Sequence, residues 1–415
     1  MSTDTPSALV VGCGVIGTAC AHYLVESGFR VTMIDAQGFG RGCSRANCGL
    51  ICPSHVLPLA EPGAARRALL RMLRPNAPLC VRLRWDPRLV AWFLRFALRC
   101  NQKDMLEAGR HRQALLRSSL HLYEQLRESV PLDCQWQQRG LLFAYRSEAA
   151  WDAYADTDRL LRDHFDEPAR RLDGAALRQF EPALRDGLAG GWYYEEDAHL
   201  RPEELLSCWR RALEARGVQI HENCELRDFA DHSGRARSAV TSRGDLHADV
   251  FVMATGAWTP RLHRQLGWRV PIQPGKGYSL TTSVPQPSPT VPLIFPDCKV
   301  AVTPFRHDYR LGSTMEFAGY DTSLNPRRLA LLRRGAERFL QAPYGEEERD
   351  RWFGWRPMTF DGLPIIDRCP RFENVWIAAG HNMLGLSMAP ATGKLVAELV
   401  TGRPPHLDPT PFHRR

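Results

Sequence analysis

Gly12, Gly14 and Gly17 spell Gly-x-Gly-x-x-Gly, and an acid follows at Asp35. That spacing suits recognition of a dinucleotide. Gly12 permits a tight turn, Gly14 lets the backbone approach a pyrophosphate, and Gly17 lets a helix pack closely on a strand. Val15 and Ile16 open that helix, whose unpaired N–H groups and positive dipole end would face the phosphates. Asp35 can accept both ribose hydroxyls and would repel a 2′-phosphate. On these residues NAD and FAD stay open, and NADP is disfavoured. Far along the chain, Arg356 stands between Trp355 and Pro357. A guanidinium there presents a planar fork that matches a carboxylate bidentately.

The elements that must position these groups can be read from apolar spacing. Ala8–Val11 is a short apolar run ahead of the glycines, and Ile16, Ala19, Cys20, Tyr23 and Leu24 recur at helical spacing behind them. Val31–Ile34 is the next apolar run and ends in Asp35, which completes a βαβ unit. Segments 85–130 and 147–180 read as helical, with strand-like 139–145 between them. Glu203–Arg216 reads as a helix closed by Gly217, followed by a strand at 218–221. The run 249–254 closes on Thr255-Gly256, as buried parallel strands feeding a ligand loop do. A proline-rich stretch at 271–296 breaks the pattern. Strands at 299–304 and 309–314 follow, then a helix at 326–341, a buried strand at 374–379 and a helix over 384–402. Units of α/β type thus open, interrupt and close the chain. They predict a discontinuous nucleotide domain (1–80, 200–258 and 350–415) and a second domain (81–199 and 259–349).

Bulk composition narrows the class. The chain has 415 residues, more than a single core usually serves. It is 44% hydrophobic and 24% charged, the balance of a soluble globular protein. No apolar run is long enough for a bilayer span, and a secretory leader has no room before the first strand, so a cytoplasmic protein is expected. None of the twelve cysteines forms a Cys-x-x-Cys pair. Cys43, Cys48 and Cys52 cluster without matching histidine spacing, so no metal site is expected from them. The net charge of +8 is carried almost wholly by arginine, since the lysines are only Lys103, Lys276, Lys299 and Lys394. The arginines are scattered, which speaks against nucleic acid as a partner. Residues 64–99 are the exception. Arg66, Arg67, Arg71, Arg74, Arg82, Arg84, Arg88, Arg95 and Arg99 alternate there with Leu69, Leu70, Leu73, Leu89, Val90, Trp92, Phe93, Leu94, Phe96 and Leu98. Such a segment suits either the inner face of an anionic membrane, as a peripheral attachment, or a helix packed on its own domain.

Four further segments concentrate glycine and polar residues: Ser44-Arg45-Ala46-Asn47-Cys48-Gly49 with Leu50; Thr255-Gly256; Lys276-Gly277-Tyr278-Ser279-Leu280; and the tail. The tail holds Arg356-Pro357-Met358-Thr359-Phe360-Asp361-Gly362-Leu363-Pro364 and Gly380-His381-Asn382-Met383-Leu384-Gly385-Leu386-Ser387. Together, in order and over essentially the whole chain, they resemble the D-amino-acid oxidase superfamily of flavoproteins. The likeness is strongest to bacterial D-amino-acid dehydrogenases of the small-subunit type.

The resemblance implies an α/β fold: a discontinuous Rossmann-like FAD-binding domain and a second, α+β substrate-binding domain. It implies FAD as cofactor, with Ser44, Asn47, Gly49, Leu50, Thr255, Gly256 and Gly380 along it. Main-chain contacts from Met383, Leu384, Gly385 and Leu386 are implied at the flavin edge, where a helix N-terminus stabilises the anionic reduced ring. Arg356 corresponds to the arginine that holds the substrate carboxylate in amine-oxidising relatives. Tyr278 could donate a further hydrogen bond to that carboxylate, and Lys276 could form an ion pair instead. His55, where the cofactor loop meets the second domain, could face flavin or pocket, although the family does not fix a histidine there. His381 suits a packed strand end and Asp361 a turn. Glycine oxidase carries a second tail arginine where this chain has Met383, which puts glycine in doubt as the substrate.

The implied reaction is oxidation of a D-amino acid to a 2-oxo acid and ammonia, by hydride transfer from the α-carbon to flavin N5. Electrons would pass to a membrane quinone or another electron-transfer partner. Alternatives are a D-proline or cis-4-hydroxy-D-proline dehydrogenase, an oxygen-using oxidase, a flavin-dependent tRNA-modifying protein, and a flavoprotein without catalysis.

Overall fold

A computed structural model describes residues 5–72, 79–82 and 84–415, without the side chains of 70–72. Leu73 and Arg74 of the arginine-rich segment lie outside the described residues. Among the described residues the strands form two main sheets, a three-stranded sheet and a two-stranded ribbon.

The first main sheet has six strands and is built around Ser7–Val11. Its parallel neighbours are Arg30–Ile34 on one side and Val250–Met253 on the other. Gln219–His221 and Val375–Ala379 extend it in parallel, and Ile365–Arg368 closes one edge antiparallel. Such a sheet is covered on both faces, so its strands are apolar throughout rather than alternating. Val375–Ala379 is buried at every residue. One face is covered by the first helix, Val15–Glu26, and the last, Gly385–Thr401. These two touch through Gly393, where an added Cβ would lie 2.5 Å from the backbone of Ala19. The helix Pro202–Ala215 ends ahead of Gly217, whose φ of +82° suits glycine there.

The second main sheet has nine strands, with Ile272–Thr282 paired to both Tyr309–Phe317 and Glu348–Thr359. Three sequence expectations change here. The proline-rich stretch contains the longest wholly buried strand, Ile272–Thr282, because Pro274 needs no donor where the ladder allows it. Residues 350–359, expected in the nucleotide domain, belong to the strand Glu348–Thr359 of this larger sheet, so Arg356 is carried by the second sheet. The expected helix over 147–180 is two helices, Glu148–Phe165 and Gly174–Phe180, split by the strand Arg170–Asp173. Asp166 in the left-handed conformation ends the first of them. No helix of the described residues is long and apolar enough to cross a membrane.

Candidate active site

The glycine loop sits at the end of Ser7–Val11, in the middle of the parallel sheet. Gly12 has φ +106°, and a Cβ there would lie 2.5 Å from the Ala254 carbonyl oxygen. A Cβ on Gly17 would lie 1.8 Å from the Gly12 oxygen, so the helix packs on the loop at a distance only glycine allows. Asp35 ties the loop to the second strand. Its carboxylate accepts the N–H of Cys13 and of Gln37, each at 2.8 Å. Burial raises its pKa, and the two N–H groups oppose that. The first helix begins after Gly14 with no side-chain cap from that residue. Val15 N–H reaches across instead to Ser44 Oγ at 3.1 Å, which brings the first expected cofactor segment to the helix N-terminus beside Ile16.

Asn47 shapes the Ser44–Leu50 loop from within. Its side-chain amide donates to the Ser44 oxygen at 3.0 Å and accepts the Gly49 N–H at 2.8 Å. Gly49 has φ +70°, and a Cβ there would lie 1.9 Å from the Leu200 oxygen. Leu50 then pairs with His199 in the two-stranded ribbon. At the end of Val250–Met253, Thr255 and Gly256 turn into a 3₁₀ helix, with open space around the Gly256 Cα.

The tail arrives beside this loop. Gly380 has φ +81° and packs on Thr359. The last helix starts at Gly385 with Leu384 as its N-cap and no side-chain cap, and Met383 is exposed just ahead of it. Ser387 ties the helix start to the cofactor loop, accepting Cys52 N–H and donating to the Leu50 oxygen, each at 3.1 Å. Tyr123, from the long helix Gln102–Ser129, donates to the Leu386 oxygen at 2.8 Å. Two helix N-termini whose own N-cap residues, Gly14 and Leu384, give no side-chain cap thus lie at one end of the parallel sheet. Each leaves N–H groups and a positive dipole end for a ligand. That donor set, with the close glycine packing, fits a dinucleotide with anionic character at two points.

Arg356 joins this assembly through Asn382, which sequence reasoning left without a role. Asn382 N–H donates to the Pro357 oxygen at 3.1 Å. Its side chain bonds Thr359 N–H, Thr359 Oγ1 and the Gly380 oxygen, each at 2.9 Å. Arg356 is half-buried. Its guanidinium lies over Gly277, where an added Cβ would come within 2.3 Å of Nη1, and Nη1 donates to the Thr314 oxygen at 2.8 Å. Burial holds its pKa below the usual range, the nearby Cys48 and Cys43 thiols oppose that, and Arg328 adds to it. Among the described residues no carboxylate pairs with Arg356. A shielded guanidinium facing only a carbonyl is prepared for an anionic ligand.

Tyr278 does not share this place. Directly opposed residues of antiparallel strands share a face, and faces alternate along a strand. The register pairs Gly275 with Arg356 and Tyr278 with Phe353. Arg356 therefore shares its face with Gly275 and Gly277, while Tyr278 stands on the other side. There its O–H donates to Glu316 Oε2 at 2.7 Å, and it is 1% exposed. Lys276 lies on that same far face, 3.5 Å from Asp321. The expected second hydrogen bond to the carboxylate is thus displaced by a buried network. A lysine-glycine-tyrosine motif read without register cannot say which side each residue faces.

His55 sits 3.3 Å from Ser54 Oγ through Nδ1, with its main-chain oxygen taking Arg112 Nη2 at 2.8 Å. Asp361 accepts Leu363 N–H at 3.2 Å and Arg415 Nη2 at 2.8 Å, which pins the turn after the arginine strand. His381 is 2% exposed and shares a hydrogen bond of 3.0 Å with Thr392 Oγ1. Burial pushes its pKa down to about 3. A free histidine titrates near 6.5, so between those values the unfolded chain binds a proton that the native one does not. The stability His381 contributes is present above that range and is lost as pH falls. The melting temperature should drop on acidification from pH 7 towards pH 4, and less steeply in His381→Gln. Equal slopes would refute the assignment.

Fold and glycine loop together define a dinucleotide-binding α/β protein. The chain matches the family model described as FAD dependent oxidoreductase over residues 7–399, and it belongs to that family. This decides what the glycines left open: the cofactor is FAD. The chain is 35% identical over 410 residues to a D-amino acid dehydrogenase of Paramagnetospirillum magneticum, covering 95% of each chain. It is 32% identical to a D-amino acid dehydrogenase of Methylobacterium nodulans, covering 96% of each. In fold it is similar to the glycine oxidase of Bacillus cereus, with a TM-score of 0.77, 21% identity and 99% of each chain covered.

Proposed function

We propose that this chain is a FAD-dependent D-amino-acid dehydrogenase in which Arg356 holds the substrate carboxylate. The observation that carries the substrate role is the half-buried Arg356 guanidinium with no acid against it among the described residues. Full-length similarity to two proteins named for that activity supports the reaction class. FAD, when bound, supplies the acceptor for the two electrons. The glycine loop, Asp35 and the Ser44–Leu50 loop would hold its dinucleotide end, and the N-terminus of the last helix would face its flavin end. Arg356 fixes the carboxylate and thereby the direction of the α-C–H, so the chain contributes orientation and electrostatics. Asn382 positions the arginine strand against the tail. The decisive experiment is anaerobic addition of a D-amino acid panel, including D-proline and cis-4-hydroxy-D-proline, while following flavin absorption. Bleaching by at least one D-amino acid and by none of the L-forms is the expected result. Absence of bleaching by any of them would refute the proposal.

We further propose that the enzyme attaches to an anionic membrane and delivers electrons to a quinone there. The helix Pro87–Arg99 supports this. Leu89 and Trp92 bury one side of it, and the Trp92 indole donates to the Met358 oxygen at 3.1 Å, on the strand that carries Arg356. The opposite side exposes Val90, Leu94 and Leu98, and Trp85 just ahead of the helix is 96% exposed. Spacing of four places the three aliphatic residues on one stripe, and Arg88, Arg95 and Arg99 are exposed among them. An apolar stripe flanked by cations suits the interface of an anionic bilayer. Cosedimentation with phosphatidylglycerol vesicles is expected for the wild type and should fall at least about tenfold in Leu94→Glu/Leu98→Glu. Binding that is indifferent to these substitutions would exclude the stripe. Rapid peroxide formation in air would argue against the quinone.

A further inference from the structure

Cys52, His55 and Asp197 come together where the cofactor loop passes the turn before the ribbon strand Ala198–His199. Their donor atoms, Sγ, an imidazole nitrogen and a carboxylate oxygen, all lie within 4.8 Å of one another. Cys52 and Asp197 are each 1% exposed, while His55 is half-buried and leaves a way in. None of the three touches Arg356 in a hydrogen bond, and the proposed dehydrogenase step uses none of them. We propose that these residues form a binding site for one zinc-class divalent cation, which clamps the cofactor loop to the ribbon.

The chemistry of the donor set supports a borderline metal. One thiolate, one imidazole and one carboxylate are zinc ligands, and hard cations such as Ca²⁺ or Mg²⁺ avoid the sulfur. Donors bound to a tetrahedral ion at about 2.0–2.3 Å stand roughly 3.5 Å apart, so the three donor atoms, now within 4.8 Å of one another, would close in on the ion. Three protein ligands leave one position for water. A thiolate and a carboxylate neutralise a dication, and Arg112 on the His55 main-chain oxygen adds one positive charge beside them. Binding would release the thiol proton to solvent, and no electron moves.

The surroundings already orient the ligands. Ser54 donates its hydroxyl to Asp197 Oδ2 at 2.6 Å and its N–H to Oδ1 at 3.2 Å, and its oxygen lies 3.3 Å from His55 Nδ1. Ser54 thus holds the carboxylate and the imidazole side by side. Arg112 donates to the His55 main-chain oxygen, which directs that cation at the carbonyl. On the other side, Cys52 N–H is held by Ser387 at the start of the last helix. A metal here would therefore stiffen the segment that joins the tail helix to the cofactor loop.

The test uses the untagged FAD holoenzyme. After incubation with ZnCl₂ and desalting, elemental analysis should find about one zinc per chain. Zinc should raise the melting temperature of the wild type. Cys52→Ser and Asp197→Asn should each weaken zinc binding at least about tenfold in a chelator competition, and zinc should no longer raise their melting temperature. Absence of retained zinc in the wild type would overturn the proposal whatever the variants do. Retention by the variants equal to the wild type would overturn it too, by placing the metal elsewhere. Because the readouts are metal content and melting temperature, the outcome does not depend on the substrate assignment.

Discussion

Arg356→Ala should lower kcat/KM for D-amino acids by roughly 10²- to 10³-fold, about 3–4 kcal/mol, with most of the loss in KM. The reason is the asymmetry of its surroundings. The guanidinium is shielded and lies over Gly277, and it has a carbonyl partner at Thr314 but, among the described residues, no carboxylate. A substrate carboxylate would therefore be the missing counter-charge, and its removal from reach of a planar fork loses two charge-assisted hydrogen bonds at once. Arg356→Lys should fall between, since an ammonium keeps the charge but not the fork. Carboxylate inhibitors should weaken in step with KM. Steady-state kinetics over the D-amino acid panel, with FAD content measured in parallel, checks the outcome. An unchanged KM in Arg356→Ala would remove Arg356 from the substrate site, even if the enzyme oxidises D-amino acids.

Gly17→Ala should weaken FAD binding at least about tenfold and give largely colourless protein. The added methyl would stand 1.8 Å from the Gly12 oxygen and 3.3 Å from the Ala254 Cβ. Neither the loop nor the strand end can give way cheaply, because Asp35 holds Cys13 and Ala254 N–H is bonded to the Val11 oxygen. The helix must move off the sheet instead, carrying its N-terminal N–H groups away from the phosphates. FAD titration by fluorescence quenching, with far-UV circular dichroism to show that the fold persists, measures this. Full FAD occupancy in Gly17→Ala would show that the cradle tolerates a side chain and that close packing is not what holds it.

Much of the nucleotide-binding sheet was legible along the chain, because its signals are local. A buried parallel strand is a short apolar run, a tight turn needs glycine, and a helix repeats its apolar face every three or four residues. Ser7–Val11, Arg30–Ile34, Val250–Met253 and Val375–Ala379 all follow from such runs. The larger sheet was harder. Ile272–Thr282 is buried on both faces and contains Pro274, Gly275 and Gly277, so neither alternation nor apolar continuity marks it. Glu348–Thr359 runs four charged residues into Trp352, Phe353, Gly354 and Trp355 without alternation, and its motif at Arg356-Pro357 resembles a loop when no partner strand is known.

The sequence by itself determined the glycine loop and its βαβ setting: residue type and short spacing suffice where the backbone depends on a missing Cβ. Tertiary structure alone decided which side chains meet. Register put Tyr278 on the far face from Arg356, where it bonds Glu316. The return of the chain placed Asn382 against Thr359 and Ser387 against Leu50. It also brought Asp197 to Cys52 and His55, across 145 residues of sequence in the case of Cys52. Contacts of that kind depend on strand register and on how two sheets share one end. Neither leaves a trace in the spacing of residues along the chain.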